Sequence, residues 1–212
     1  MNLLNKLNRK FGRYYISNLM LYIVIGTGIV FAFWYLFPTP LLQYLTFDRS
    51  AILRGQVWRL LSFIFIPENS NPISMMFWLY LYWLIGSSLE DQWGGFNFNV
   101  YYFSGVLFAI IGGFITGFAT VHYLNLSLFL AIAVINPNMR LLLFFFIPVK
   151  LKWLAWVDAA FLIYSFIFGS FGIKIVILLS MLNFILFFGG DFFRFIRDKI
   201  RYRKIRSNFK KR

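Results

Sequence analysis

Few residues in this chain are able to do acid–base or nucleophilic chemistry. It has one histidine, His122, and no cysteine, which excludes disulfides and cysteine-held zinc. Ser127 follows five residues later in an apolar stretch. A serine hydroxyl needs a base within hydrogen-bond reach, but positions i and i+5 of a helix do not face each other well. We therefore expect His122 to be a surface loop residue, with a displaced Ser127–His122 dyad as the alternative.

Acidic residues are also scarce, and their positions in the apolar stretches matter. An ionisable side chain within a membrane marks a functional site by default. Asp158 lies early in an apolar run and close to Lys152 in sequence, so we expect it at the membrane interface. Asp191 and Arg194 come at the end of the last apolar run and are predicted to be interfacial too.

The composition predicts an all-α membrane protein. Hydrophobic residues make up 60% of the chain and charged residues 13%, and the mean hydropathy is +0.72. A soluble domain is about half apolar and roughly a quarter charged. The net charge of +14 would suit nucleic acid, but the charges flank apolar spans, so no nucleic-acid partner is expected.

Six apolar runs are predicted to be transmembrane helices. Prolines end the first run, and a piece in the following loop is too short to span and suits a helix embedded in the interface. A further apolar stretch, residues 138–148, is predicted to be a connector because Arg140 lies in it and prolines flank it. The predicted spans are residues 18–37, 73–89, 98–118, 121–135, 154–168 and 173–193, with the embedded piece at 58–66.

Positive charge at both ends predicts the orientation. Residues 1–17 and 194–212 are basic and flank the membrane domain, residues 18–193. Lysine and arginine concentrate on the cytoplasmic side of membrane proteins, and six spans put both termini on one side, so both termini are predicted to be cytoplasmic. The basic tail is explained by this topology, with anionic lipid or a cytosolic partner as alternatives.

One predicted span carries a small residue at every fourth position. These residues share one face of a helix, and small side chains allow close approach of helices in lipid. We expect this face to pack against other helices, without a chemical role. The residues are Gly105, Ala109, Gly113 and Gly117.

Several short motifs occur in a fixed order along the chain, from Gly55 to Gly190. They resemble motifs of the rhomboid superfamily: a Trp-Arg pair in the first loop, Gly-x-x-x-Glu at the end of the second helix, and a Tyr-to-Gly start of the third. An Asn-Pro-x-x-Arg motif after the fourth span is similar to the Derlin branch. The residues are Trp58, Arg59, Gly86, Glu90, Gly94, Tyr101, Gly105, Asn136, Pro137 and Arg140.

The resemblance implies a six-helix rhomboid-like core with a membrane-embedded first loop, and it allows the catalytic positions to be inspected. The family's oxyanion-binding His and Asn fall on Ser74 and Trp78, and the serine of the fourth span is Ser127, which no glycine flanks. The position of the family's catalytic base falls on Asn183, an amide that cannot take up a proton. The chain therefore reads as a pseudoprotease without a cofactor.

In the family the glutamate helps to hold the first loop, so Arg59 and Glu90 are expected to anchor the loop helix against the core. The Derlin resemblance implies binding of transmembrane clients for quality control or trafficking, with a membrane-bound protease as a further partner. The short fourth span suggests local bilayer thinning. The alternatives are an active rhomboid protease using Ser127 and His122, a membrane anchor and a small transporter. The composition suggests an AT-rich genome and a bacterial plasma membrane.

Overall fold

The computed structural model describes residues 8–37, 39–143 and 147–188. The domain is a helical bundle with short helices in its first loop and one β-hairpin. A helical segment at residues 8–11 precedes the bundle. The bundle consists of α1 (Leu19–Leu36), α2 (Leu41–Leu45), α3 (Arg49–Leu53), α4 (Arg59–Ser62) followed by a 3₁₀ turn (Phe63–Phe65), α5 (Pro72–Trp93), α6 (Gly95–Thr116), α7 (His122–Ile135), β1 (Arg140–Leu143), β2 (Ile147–Lys150), α8 (Leu151–Phe168) and α9 (Phe171–Phe188).

Within the described residues, five helices are long and apolar enough to cross a membrane, namely α1, α5, α6, α8 and α9. The sixth apolar helix, α7, has only 14 residues. The predicted spans coincide with these helices to within a few residues at their described ends, which bears out the coarse prediction of a multi-pass helical membrane protein. The tail, Gly190, Asp191 and Arg194 lie outside the described residues.

Contacts between the helix ends define two ends of the bundle. At the termini end, the Glu90 side chain accepts a hydrogen bond from the Asn18 backbone N–H, and the rings of Trp93 and Phe188 lie 4.7 Å apart. At the opposite end, here called the loop end, the ring of Phe47 packs where a side chain on Gly113 would lie. The start of α1 and the described end of α9 thus lie at the same end.

The first loop folds into three short helices fastened to one another by Arg59 and its neighbours. The buried guanidinium of Arg59 donates to the backbone carbonyls of Gln43 and Thr46, both at 2.7 Å. Ser62 Oγ donates to the Leu45 carbonyl at 2.8 Å, and the exposed Trp58 indole donates to the Tyr44 carbonyl. A buried cation is stable here because backbone carbonyls at the end of α2 accept hydrogen bonds from its N–H groups.

Glu90 has a different contact from the predicted one. We expected it to hold the first loop, but its carboxylate binds the Asn18 N–H at the start of α1. The first loop lies at the opposite end of α5, a helix of 22 residues, or about 33 Å at 1.5 Å per residue. The expected anchoring of the loop by Glu90 is therefore wrong, and Glu90 secures the N-terminus of α1 instead.

The predicted connector after α7 is an antiparallel β-hairpin. Arg140 pairs with Lys150 across the two strands, and the Leu151 N–H bonds to the Met139 carbonyl. Asn136 is the C-cap of α7, and the Pro137 carbonyl accepts a bond from the Lys152 N–H. The motif residues Asn136, Pro137 and Arg140 thus form the joint between α7 and the hairpin.

The small-residue face of α6 packs closely, except at its end. A side chain on Gly105 would meet Leu124 of α7 and Asn183 of α9, and Ala109 is buried. Gly117 does not belong to this packing. It has a φ of 90° and ends α6, in the left-handed region that glycine adopts without strain, with open space around it.

Candidate functional site

A cluster of polar side chains lies at the loop end, centred on Glu68 between the first loop and α5. Its Oε2 lies 2.8 Å from His122 Nδ1 and accepts a bond of 2.8 Å from the Tyr82 hydroxyl. Its Oε1 accepts a bond of 3.2 Å from the Asn125 amide. One carboxylate therefore joins the first loop to α5 and α7.

Local sequence features place these side chains. Asn71 caps α5 by accepting from the Ile73 and Ser74 N–H groups, and Pro72 occupies the first turn, both common features of a helix start. The cap fixes the segment carrying Glu68 directly before α5. His122 and Asn125 lie one turn apart on α7, so both reach the same carboxylate.

The environment of Glu68 favours its charged form. Burial alone raises the pKa of this carboxyl, but the hydrogen bond from His122, the charge of His122 and the bonds from Tyr82 and Asn125 together bring the pKa below its ordinary value. The hydrogen bonds to the carboxylate thus outweigh its desolvation. At neutral pH, the charged Glu68 carboxylate therefore accepts hydrogen bonds from α5 and α7 and holds the first loop against both helices.

A small cavity of about 20 Å³ adjoins the cluster and is lined by Glu68, Tyr82, Trp78 and Asn125 among apolar side chains. A cavity of this size has room for about one water molecule. Asn125 Oδ1 is buried without a hydrogen-bond partner among the described residues, and a water there would satisfy it.

His122 does not lie in a surface loop as expected. It is the first residue of α7, its side chain is 33% exposed, and its ring packs edge-on against Tyr123 and Phe161. The expectation failed because it ignored Glu68, whose carboxylate draws the imidazole inward.

Asp158 also differs from its expected interfacial position. It is 7% exposed and both carboxylate oxygens lack hydrogen-bond partners within the described part of the chain. Because α8 begins at Leu151, before the predicted start, Asp158 lies about two turns inside the helix. It lies near His122 across the packed pair of α7 and α8, which places it beside the polar cluster.

A second polar network contains Ser127 and Asn183, two of the positions at which the sequence was inspected for catalytic residues. Ser127 is fully buried, its Oγ donates to the Leu124 carbonyl at 2.7 Å, and it also lies 2.7 Å from the Tyr101 hydroxyl. Asn183, equally buried, accepts from the Ser104 hydroxyl at 2.8 Å and donates to the Tyr101 carbonyl at 3.1 Å. Tyr101 therefore links Ser127 of α7 to Asn183 of α9.

The predicted site residues divide between the two polar networks and the helix contacts. Trp78 lines the cavity with its ring tilted against that of Tyr82, 5.6 Å between centroids, and the Ser74 N–H donates to the side chain of Asn71, the α5 cap. Gly86 allows α1 to approach α5, because a side chain there would meet Met20. Gly94 separates α5 from α6 with a φ of 80°. The structure thus brings together Ser127 and Asn183, while Ser74 and Trp78 have separate roles on α5.

Sequence reasoning missed Glu68, Tyr82 and Asn125. A usable signal existed: Glu68 is an isolated acid in the first loop, and the only histidine was predicted at the same side of the membrane. Among the residues that the structure describes, no group of three or more His, Asp and Glu side chains is placed to hold a metal ion. No protein-family model matches the sequence, and no curated protein matches it.

Proposed function

We propose that this chain is a rhomboid-like membrane protein that does not cut its clients but binds their transmembrane segments and assists quality control or trafficking. The observation that supports the proposal best is the burial and hydrogen bonding of Ser127. Its hydroxyl is fully buried and held between the Leu124 carbonyl and the Tyr101 hydroxyl. A nucleophile must instead reach the substrate carbonyl and give its proton to a base.

Asn183, at the position of the family's catalytic base, also supports a protein that does not cut its clients. Asn183, which resembles the family's base in position only, has its amide bonded to Ser104 and to the Tyr101 carbonyl. A primary amide does not accept a proton at physiological pH. These bonds tie α6 to α9, and the Ser127–Tyr101 contact ties α6 to α7, so the residues at the catalytic positions have a structural role.

Client binding is supported by exposed apolar side chains on α9 and at the end of the short helix α7. Val134 of α7 is exposed, and so are Leu178, Ile185 and Leu186 of α9. Helices meet in lipid through side-chain packing and polar contacts, and such a surface can accept a transmembrane segment. A helix of 14 residues is about 21 Å long, against a bilayer core of about 30 Å. Thinned lipid at α7 would lower the cost of moving a polar stretch of a client.

One observation favours the active protease as a second candidate. Glu68 binds Nδ1 of His122, as the acid of a catalytic triad orients its histidine. Against it, Ser127 and His122 have separate partners, and no hydrogen bond between them occurs in the described part of the chain. Proteolysis is therefore one of the outcomes that the experiment below distinguishes.

The test combines photocrosslinking with active-site labelling in cells. A photoreactive phenylalanine analogue at Val134 or Leu186 is expected to crosslink to other membrane proteins, while the same group at Ile29 of α1, also exposed, gives a lower yield. A fluorophosphonate is expected not to label the wild type, and Ser127→Ala serves as the matched control for background.

Two results would overturn the proposal in different ways. Crosslinks to lipid alone from Val134 and Leu186 would exclude client binding at this surface. Fluorophosphonate labelling that disappears in Ser127→Ala, together with cleavage of a transmembrane peptide, would show an active protease.

A further inference from the structure

A groove of about 670 Å³ lies at the termini end, between the N-terminal segment and α6. Its floor is one face of α6, where Phe96, Val100, Phe103 and Leu107 follow one another at helical spacing, so that they form a continuous apolar strip. Tyr14, Tyr15 and Ile16 form the opposite wall. The volume is typical of sites that bind small ligands.

The length of the groove distinguishes between possible occupants. From Phe96 to Leu107 the helix rises about 16 Å at 1.5 Å per residue. A transmembrane helix of a client would need the whole core of about 30 Å, but one lipid acyl chain occupies about half of it. The strip therefore matches one leaflet and one acyl chain.

The mouth of the groove suits a phosphate-bearing headgroup. Arg13 is exposed and directly precedes the wall residue Tyr14, and the exposed Lys10 lies one turn earlier in the chain. Tyrosine rings commonly lie at headgroup level, and cations there attract anionic lipid. Of the nearby acids, Glu90 is already bound to the Asn18 N–H, and Asp91 is exposed at the end of α5.

A buried acceptor at the groove points to a donor in the ligand. Asn99 is 5% exposed and lines the groove. Its Nδ2 donates to the Ile16 carbonyl at 3.0 Å, but its Oδ1 is buried without a hydrogen-bond partner among the described residues. An unsatisfied buried acceptor is costly, and a small shift of this side chain toward the groove would let a headgroup hydroxyl satisfy it.

We propose that this groove binds an anionic glycerophospholipid with a hydroxylated headgroup, such as phosphatidylglycerol. Its acyl chain lies along the α6 strip, its phosphate meets Lys10 and Arg13, and a headgroup hydroxyl donates to Asn99. The site is separate from the client surface on α7 and α9, so it does not depend on the proposed function.

The test uses the purified full chain in nanodiscs with phosphatidylglycerol or phosphatidylcholine carrying a photoreactive group in the acyl chain. Mapped crosslinks are expected within residues 96–107, and the anionic lipid should label about fivefold more strongly for each interacting cation, from about 1 kcal/mol per charge. Val100→Trp, which fills the groove, should abolish this labelling. Val157→Trp on the exposed face of α8 is the matched control and should leave it unchanged.

The headgroup contacts are tested with Lys10→Gln/Arg13→Gln against the control pair Arg140→Gln/Lys152→Gln, which removes two cations elsewhere. Only the first pair should reduce the preference for phosphatidylglycerol. Equal labelling by both lipids, or equal effects of the two pairs, would overturn the proposal. So would unchanged labelling in a Val100→Trp protein that keeps the wild-type melting temperature.

Discussion

At the residue scale, Glu68 connects the first loop to two helices of the bundle. It accepts hydrogen bonds from side chains of α5 and α7 and lies 2.8 Å from the histidine ring. A buried carboxylate is stable only when its lone pairs are satisfied, and here three donors surround it. Removing its charge should therefore loosen the attachment of the first loop to the bundle.

The first prediction concerns the pH dependence of this tie. Because the folded state lowers the pKa of Glu68, the folded state binds this proton less readily than the unfolded state. The stabilisation is thus complete above the ordinary glutamate pKa of about 4.3 and is lost as the pH falls through that value toward the lower folded pKa. Glu68→Gln should lower stability at pH 7 by about 1–3 kcal/mol and flatten this acid dependence, measured by thermal unfolding in micelles.

Tyr82→Phe is the graded comparison, because it removes one donor and leaves the carboxylate. It should cost less than Glu68→Gln and keep part of the acid dependence. An unfolding profile of Glu68→Gln that falls with acid as steeply as that of the wild type would show that Glu68 does not carry it.

Part of this site could be predicted from the sequence, and the rest could not for a physical reason. His122 and Ser127 were recognised because their types are chemically reactive, whereas Glu68 lies 54 residues from His122 in a loop without periodicity. A contact of that separation depends on how the first loop folds back, and hydropathy contains no signal for it. The burial of Asp158 was missed similarly, because it depends on where α8 begins.

At the element scale, α6 packs closely against α7 and α9 near Gly105. A side chain on Gly105 would meet Leu124 and come within 3.0 Å of Asn183 Nδ2, and Tyr101 of the same helix bonds to Ser127. The close approach at Gly105 therefore also sets the distance across which the Tyr101 network forms.

A bulky residue at Gly105 should separate these helices. Gly105→Leu is expected to destabilise the protein by about 1–3 kcal/mol, the usual cost of overpacking, measured by unfolding in increasing dodecyl sulfate. Ala160→Leu, at an exposed position of α8, adds similar bulk toward lipid and should change stability little. Equal stability of the two variants would mean that α6 and α7 do not pack closely at Gly105.

Helix positions were predictable at this scale, and the hairpin was not. Apolar runs of spanning length have one common solution in lipid, the helix, because backbone groups must bond within the segment. The stretch around Arg140 and Pro148 is also apolar, but it forms a hairpin. The pairing of Arg140 with Lys150 depends on hydrogen bonds between two strands, which the apolar pattern does not predict. The end of α6 at Gly117 was likewise missed, since spacing alone cannot distinguish a packing glycine from a helix cap.

At the scale of the whole molecule, the helices do not match one bilayer thickness. The five longer helices have at least 18 residues, about 27 Å or more, while α7 has 14. Among its residues only Val134, near its end, is exposed, so the shortfall of α7 meets lipid at that end. A confined shortfall costs fractions of a kcal/mol per Å when lipid adapts to it.

Local thinning can be measured by the depth of nitroxide labels in a reconstituted bilayer. The chain has no cysteine, so single variants Val134→Cys and Leu21→Cys label one exposed site each, near the end of α7 and the start of α1. The depth of each label is measured from its accessibility to oxygen and to a water-soluble nickel chelate. If lipid thins around α7, both labels should lie at similar depths below the phosphates. If the bilayer keeps its thickness, the Val134 label should lie deeper by up to about 9 Å, the difference between a core of 30 Å and a helix of 21 Å. That outcome would remove bilayer thinning from the proposed mechanism while leaving client binding to be tested by crosslinking.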